Sequence, residues 1–185
     1  MTSAWRLHAG KYAGNDPTGA LLHEGRWNPL GTGAIYACNH PALATVEILA
    51  NYAVLPTAFV LTEIRIPEAV TIEIVAEDNL PFDWNTTLFR QYKPYPFSAA
   101  DVPGLMIRAG QIILSMPPFT TSASCQDFGF IWHHSLRSAV LSVPSAVLSD
   151  TPALARNFVI NPNHPDFTKI EFLDPIPFTF DSRLK

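Results

Sequence analysis

Glu47 is the only side-chain carboxylate or ammonium between Arg26 and Glu63. Asn39 and Pro41 predict a helix start, since Asn accepts from the open N–H groups of a first turn and Pro needs no N–H there. The spacing predicts a helix over 42–53, with Leu43, Val46, Ala50 and Ala53 on one stripe that Glu47 shares. A carboxylate on an apolar stripe is costly unless paired or protonated, so a partner is expected, and Arg26 is the nearest cation in sequence. A carboxylate held in a cleft can stabilise positive charge developing on a substrate. Periodicity alone serves equally well a fold-fixing ion pair or a stripe-edge acid that reaches solvent.

Three other residues carry chemistry. Arg26 lies in the turn Gly25-Arg26-Trp27-Asn28-Pro29 and offers a planar fork of donors that suits phosphate or carboxylate oxygens. Tyr36, in a short strand-like run over 34–38, is either a core aromatic or a flat platform for a ring. Ser145 follows Pro144, which interrupts the strand pattern of 139–148, so its hydroxyl sits at a strand end or bulge. With no GxSxG turn, it is not read as a nucleophile. The adjacent His133 and His134 diverge on a helix and face opposite ways on a strand, so no metal site is expected from them.

The elements that must position these groups are short. The chain has 185 residues, 48% of them hydrophobic, which predicts one domain, 1–185, with a proper core. Seventeen prolines favour short strands and ordered loops over long helices. A net charge of −4 without a basic run gives no nucleic-acid surface. No apolar run approaches the ~20 residues of a membrane span, and the N-terminus has no secretory pattern, so neither membrane nor export is expected and the cytoplasm is the default. Cys38 and Cys125 have no disulfide-framework or metal-ligand spacing. Strands are expected at 4–9, 34–38, 58–67, 70–76, 139–148 and 157–160, with one or two more in 170–180. The short Pro67-Glu68-Ala69 join makes 58–67 and 70–76 an antiparallel pair or one bent strand, with Glu63, Arg65 and Glu73 on its wet face. Residues 78–104 read as loops with at most one helical turn, and 105–114 as a short helix or strand.

Three ordered blocks resemble the RES domain, a bacterial toxin family named for an arginine, a glutamate and a serine. The first is GRWNP with Arg26, followed after ten residues by Tyr36 and after eleven more by Glu47 in ALATVE; the others are SVPSAV with Ser145 and NFVINPNHPDFTKI from Asn157. The resemblance covers nearly the whole chain, although the long Pro-rich middle, 78–135, yields no residue-by-residue match. It implies an α+β fold similar to ADP-ribosyltransferases, a split, mostly antiparallel β core with flanking helices, and an NAD-cleaving activity without a metal. It further implies neutralisation by an antitoxin with an Xre-type helix-turn-helix. The reaction is then hydrolysis, phosphorolysis or ADP-ribosyl transfer to a protein acceptor.

In that setting Glu47 stabilises the oxocarbenium-like ribose, Arg26 contacts pyrophosphate or ribose, Tyr36 stacks on nicotinamide with its hydroxyl free to orient a neighbour, and Ser145 hydrogen-bonds ligand or Glu47. Trp27 and Arg6 are further cofactor-binding candidates, Trp27 through the turn it shapes and Arg6 as a second phosphate contact. Ser124 competes with Ser145 for the serine role. Two rivals stand beside this reading. One is a binding-only domain on the same fold; the other is a glycosidase pairing Glu47 with Asp78, Asp83 or Asp127.

Overall fold

The computed structural model describes residues 1–76, 79–81, 83–85, 105–108, 111–114 and 124–184. The fold is α+β. Its main sheet has eight strands: β1 (Thr2–Ala9), β2 (Ile35–Cys38), β3 (Phe59–Ile66), β4 (Ile72–Ile74), β7 (Val140–Pro144), β8 (Arg156–Ile160), β9 (Glu171–Phe172) and β10 (Ile176–Phe178). Their order is β10-β3-β1-β2-β8-β7-β4, with β9 also on β3. Strands β5 (Leu105–Arg108) and β6 (Gln111–Leu114) form a separate antiparallel hairpin. Among the described residues three α-helices accompany them: α1 (Thr18–Leu22), α2 (Pro41–Asn51) and α3 (Cys125–Ser135).

The sheet is nearly split, as expected from the family resemblance. β1 runs along all of β3 over eight paired positions, and β2 along β8 over four, but β1 and β2 are joined only at Trp5↔Cys38. Alternation along the strands sends Ala4, Ile35, Ala37, Ile64, Ile66, Val140, Phe158 and Ile160 to one face, where they form a dry core closed by Val70 and Ile170. The opposite face carries two smaller cores. α3 packs Phe128 and Trp132 on Leu141, Val143 and Val159, and α2 packs Leu43 and Ala44 beside Leu7 and Cys38. The weak β1–β2 joint lies within this second face.

Several expectations need correction. The strands around Pro67 do not pair with each other: β3 pairs with β1, β9 and β10, while β4 crosses over to run parallel to β7. Glu73 is accordingly not a solvated face residue but a half-buried anchor, its carboxylate gripped by Arg137 at 2.6 and 2.7 Å. Residues 105–114 are two strands rather than one element. Helix α2 is capped by His40, whose Nδ1 accepts from the Ala42 N–H at 3.1 Å, and not by Asn39. Asn39 instead extends the pairing of β2 with β8: its amide donates to the Leu154 carbonyl at 2.7 Å and its side-chain oxygen accepts from the Arg156 N–H at 3.2 Å. The inward stripe of α2 is also rotated from the expected one. Leu43 and Ala44 are buried and Glu47 and Ile48 half-buried, whereas Ala50 is exposed and Ala53 lies beyond the helix end.

α3 sits so close to the Gly25–Asn28 turn that a Cβ on Gly129 would come within 1.9 Å of the Trp27 carbonyl oxygen. Backbone cannot yield to that overlap as a flexible side chain would, so Gly129→Ala is expected to destabilise by at least the ~1–3 kcal/mol typical of overpacking, measured by chemical denaturation. A change within error would show that α3 and the turn can separate freely.

His133, on α3, is buried, and neither of its ring nitrogens makes a well-formed hydrogen bond among the described residues, the Gly33 backbone offering only a weak contact. Burial, reinforced by neighbouring His134, lowers its pKa from 6.5 to about 4. Between those values the unfolded chain binds a proton that the folded chain does not, so this residue costs stability progressively as pH falls from 6.5 toward 4. His133→Phe is expected to lose less Tm than the parent between pH 7 and pH 5, as read by thermal melts; equal losses would contradict it.

Candidate active site

The turn that opens the site is built around a tyrosine. Gly25 N–H donates to the Asn28 carbonyl at 2.9 Å, closing Gly25-Arg26-Trp27-Asn28 into a tight loop. The Tyr36 hydroxyl, arriving from β2, donates to Asn28 Oδ1 at 2.7 Å and accepts from the Trp27 N–H at 3.1 Å. Gly25 is required here, because a Cβ would lie 2.5 Å from Asn28 Oδ1 and 2.7 Å from the Tyr36 oxygen. The fully buried Asn28 also donates to the Ala20 carbonyl at 3.0 Å. Tyr36 therefore holds the arginine-bearing turn, and its hydroxyl is not free to orient a ligand. Burial pushes its pKa well above the usual phenol value, so it remains a protonated donor.

The turn is pinned to α3 as well. Trp27 packs edge-on against Phe128, with ring centroids 5.9 Å apart, and Gln126 donates to the Gly25 carbonyl at 3.0 Å. Arg26 Nη1 donates to the Asp83 carbonyl at 2.9 Å, while the Asp83 carboxylate accepts from the Cys125 N–H at the start of α3. Trp27 is thus a buried structural residue beneath the arginine.

On the other side of Tyr36 lies a cavity of about 170 Å³, lined by Trp5, Leu7, Tyr36, Cys38, Glu47 and Asn157 among others. It occupies the weak joint between β1 and β2 and is walled by α2. Glu47 enters from that helix. Its Oε1 accepts from the Ser145 hydroxyl at 2.7 Å and from the Asn157 amide at 2.7 Å. Ser145, at the end of β7, is fully buried, and its own oxygen accepts from the Leu148 N–H at 3.2 Å. The expected partner of the helix acid is consequently not Arg26 but two neutral donors, and no described residue donates to Oε2.

The structure places Glu47 and Tyr36 in the wall of one cavity, buries Ser145 behind Glu47 and hydrogen-bonded to it, and sets Arg26 beyond the Tyr36 hydroxyl, in the turn that the hydroxyl closes. It does not bring in Arg6. Trp5 and Leu7 line the cavity, so strand alternation sends Arg6 to the opposite face, where it donates to the carbonyls of Gly14 at 2.7 Å and Asp16 at 3.0 Å. Burial lowers its pKa to about 10 against the opposing charge of Asp16. Its role is to tie down the loop after β1. Ser124 is likewise spent elsewhere: with Asp127 it forms the capping box of α3, its hydroxyl 2.7 Å from Asp127 Oδ2. That also occupies Asp127 as a second acid, and Asp83 serves the start of the same helix. Asp78 falls outside the described residues. His164 caps a 3₁₀ turn, its Nδ1 accepting from Asp166 N–H at 3.0 Å.

Two site residues escaped the sequence reading, Asn157 and Cys38. In the sequence Asn157 marks only the start of a block, and its one signal is a carboxamide leading an otherwise apolar strand run, Phe158-Val159-Ile160. Cys38 pairs with it across the β2–β8 ladder.

Tyr36 separates two functions that one substitution can test. Tyr36→Phe keeps the ring in the cavity wall but removes the hydroxyl that closes the turn, leaving the buried Asn28 oxygen without its donor. A stability loss of about 1–3 kcal/mol is expected from denaturant titration. An unchanged midpoint would show that the turn closes without the tyrosine.

Comparisons with known proteins place the chain among named toxins by similarity. A toxin named as Prs ADP-ribosylating, from a Sphingobium species, is 30% identical over 191 residues, covering 99% of this chain and 96% of its own. Proteins named Toxin Res from Photorhabdus laumondii and Pseudomonas putida are each 31% identical, covering 97% of this chain and 95% and 97% of theirs. The family model described as the RES domain matches residues 3–181, so this chain belongs to the RES domain family.

Proposed function

We propose that the chain is an NAD-consuming toxin and that Glu47 carries the reaction. The observation behind this reading is a carboxylate held by two neutral donors on one oxygen, with the other oxygen unclaimed by the described residues, beside a cavity walled by an aromatic ring. The naming of a relative that spans the same length as an ADP-ribosylating toxin supports NAD as the substrate.

Cleavage breaks the bond between the nicotinamide nitrogen and ribose C1′. The electron pair leaves with nicotinamide, and positive charge builds on the ribose. A carboxylate already fixed in place stabilises that charge without reorganising, and Oε2 is suited to accept from a ribose hydroxyl. Tyr36 offers its ring for the nicotinamide, and Arg26 its donors for the pyrophosphate. The acceptor, whether water, phosphate or a protein side chain, then adds at C1′ and releases its proton. The cavity, at about 170 Å³, is smaller than the ~300–1,000 Å³ of a drug-sized ligand pocket, so it suits the nicotinamide–ribose end of the dinucleotide and not the whole of it. A toxin of this kind requires silencing in its own cell, and the family resemblance assigns that to an antitoxin with an Xre-type helix-turn-helix.

The test is NAD consumption by purified protein beside Glu47→Gln, with and without phosphate and with cell lysate as a source of acceptor proteins, and with products identified by mass. Glu47→Gln is expected to lose ~10²–10³ in rate. Free ADP-ribose marks hydrolysis, its phosphate marks phosphorolysis, and a mass increment on a protein marks transfer. NAD that binds without being consumed under any of these conditions, equally well to both proteins, would replace the enzyme with a binding domain.

A further inference from the structure

We propose that Asn157 is the positioning residue of the Glu47 carboxylate, and that Cys38 fixes the way round in which the Asn157 amide is held. This rests on the reading of Glu47 as the charge-stabilising group for NAD cleavage.

A carboxamide is nearly symmetric in shape but not in polarity. Turned one way, Asn157 presents Nδ2 to Glu47 Oε1 at 2.7 Å; turned the other, it would set a carbonyl oxygen against a carboxylate oxygen at the same separation. The acceptor-only Glu47 carboxylate breaks this degeneracy from one side, and the group behind the amide reinforces it from the other. Cys38 Sγ lies 3.2 Å from Asn157 Oδ1. Burial, and then the nearby charge of Glu47, push the thiol's pKa far up, so Cys38 keeps its proton and acts as a donor. A donor behind the amide selects the orientation with oxygen toward Cys38 and nitrogen toward Glu47. The chain of donation therefore runs from Cys38 through Asn157 to Glu47.

Ser145 completes the hold from the other side. Its hydroxyl proton is committed to the same oxygen, Oε1, while the Leu148 N–H satisfies its lone pair. Two donors on one oxygen orient the carboxylate plane and direct Oε2 to a ligand. The scaffold for this is rigid, because Asn157 and Cys38 face each other in the β2–β8 register. Asn39, immediately after Cys38, bonds across to the backbone of Arg156, immediately before Asn157. The donors are also neutral. A cation in their place would hold Glu47 as firmly but would cancel the negative charge that an oxocarbenium ion needs.

Asn157→Asp tests the idea most sharply, since it replaces a donor by a second carboxyl of the same shape. Two acids at hydrogen-bond distance share a proton, so the apparent pKa of the pair is expected to rise by one unit or more. That shift is read by carboxyl ¹³C NMR of labelled protein, which needs no NAD, and by the acid limb of the pH–rate profile. kcat is expected to fall about 10²-fold with KM nearly unchanged, the cost of a misplaced group. Cys38→Ala is expected to lower kcat about tenfold and Cys38→Ser to recover most of that loss by restoring a donor. If Asn157→Asp leaves the Glu47 titration where it was, or if Cys38→Ser and Cys38→Ala behave alike, the relay is wrong and Asn157 only closes the strand pair. Should the parent protein leave NAD intact, the functional reading fails by itself, and the NMR titration still decides whether Asn157 positions Glu47.

Discussion

A half-buried carboxylate with no cation beside it among the described residues is the constraint on which this structure turns. On the inward face of α2 a bare Glu47 carboxylate would lose part of its hydration without compensation. The fold answers with dipoles, bringing the end of β7 and the start of β8 to the same carboxylate oxygen. That requires α2, β7 and β8 to keep their mutual positions. The connections that do so are specific: Pro41 and the His40 cap set where α2 begins, and Asn39 locks that start to Leu154 on the β7–β8 connection and to Arg156 at the start of β8. Arg156 in turn donates to Ser142 and to the Val75 carbonyl, tying β8 to β7 and to the end of β4.

The second half of the site is organised by a different economy of hydrogen bonds. Tyr36 serves the cavity with its ring and the arginine turn with its hydroxyl, so the distance between the carboxylate and the guanidinium side of the site is set by one residue. Gly25 and Gly129 are the spaces that allow this, the first admitting the tyrosine oxygen and the second admitting α3 against the turn. The cavity lies where β1 and β2 share a single paired position, a seam that leaves room between strands that otherwise pack their side chains edge to edge.

Much of this was legible in the sequence, and the failures have physical reasons. Isolation of Glu47 in an apolar helix pointed correctly to a carboxylate needing a partner, and Leu43 four residues before it placed it on the inward face. The same helix misled through Ala50 and Ala53, because alanine is as easily exposed as buried and says little about facing. Arg26 is the nearest cation in sequence, but the actual partners, Ser145 and Asn157, lie 98 and 110 residues away and reach Glu47 only through the sheet. The crossover of β4 to β7 was hidden for a similar reason: a short join such as Pro67-Glu68-Ala69 fits a hairpin as well as the start of a crossover, and the pairing of Ile72 with the distant Val140 is visible only in the folded sheet. Ser145 was located by Pro144, a residue whose missing N–H ends the ladder wherever it occurs.

The central claim is that Glu47, held through Oε1, presents Oε2 to the nicotinamide ribose of NAD. A crystal structure of Glu47→Gln with NAD bound tests it directly, since the variant is expected to bind the dinucleotide and turn it over too slowly to consume it in the crystal. The expected result is a ribose hydroxyl within hydrogen-bond distance of the residue 47 side chain, with nicotinamide against the Tyr36 ring and the pyrophosphate toward Arg26. NAD seated away from the cavity, or with its adenine end in it, would contradict the claim.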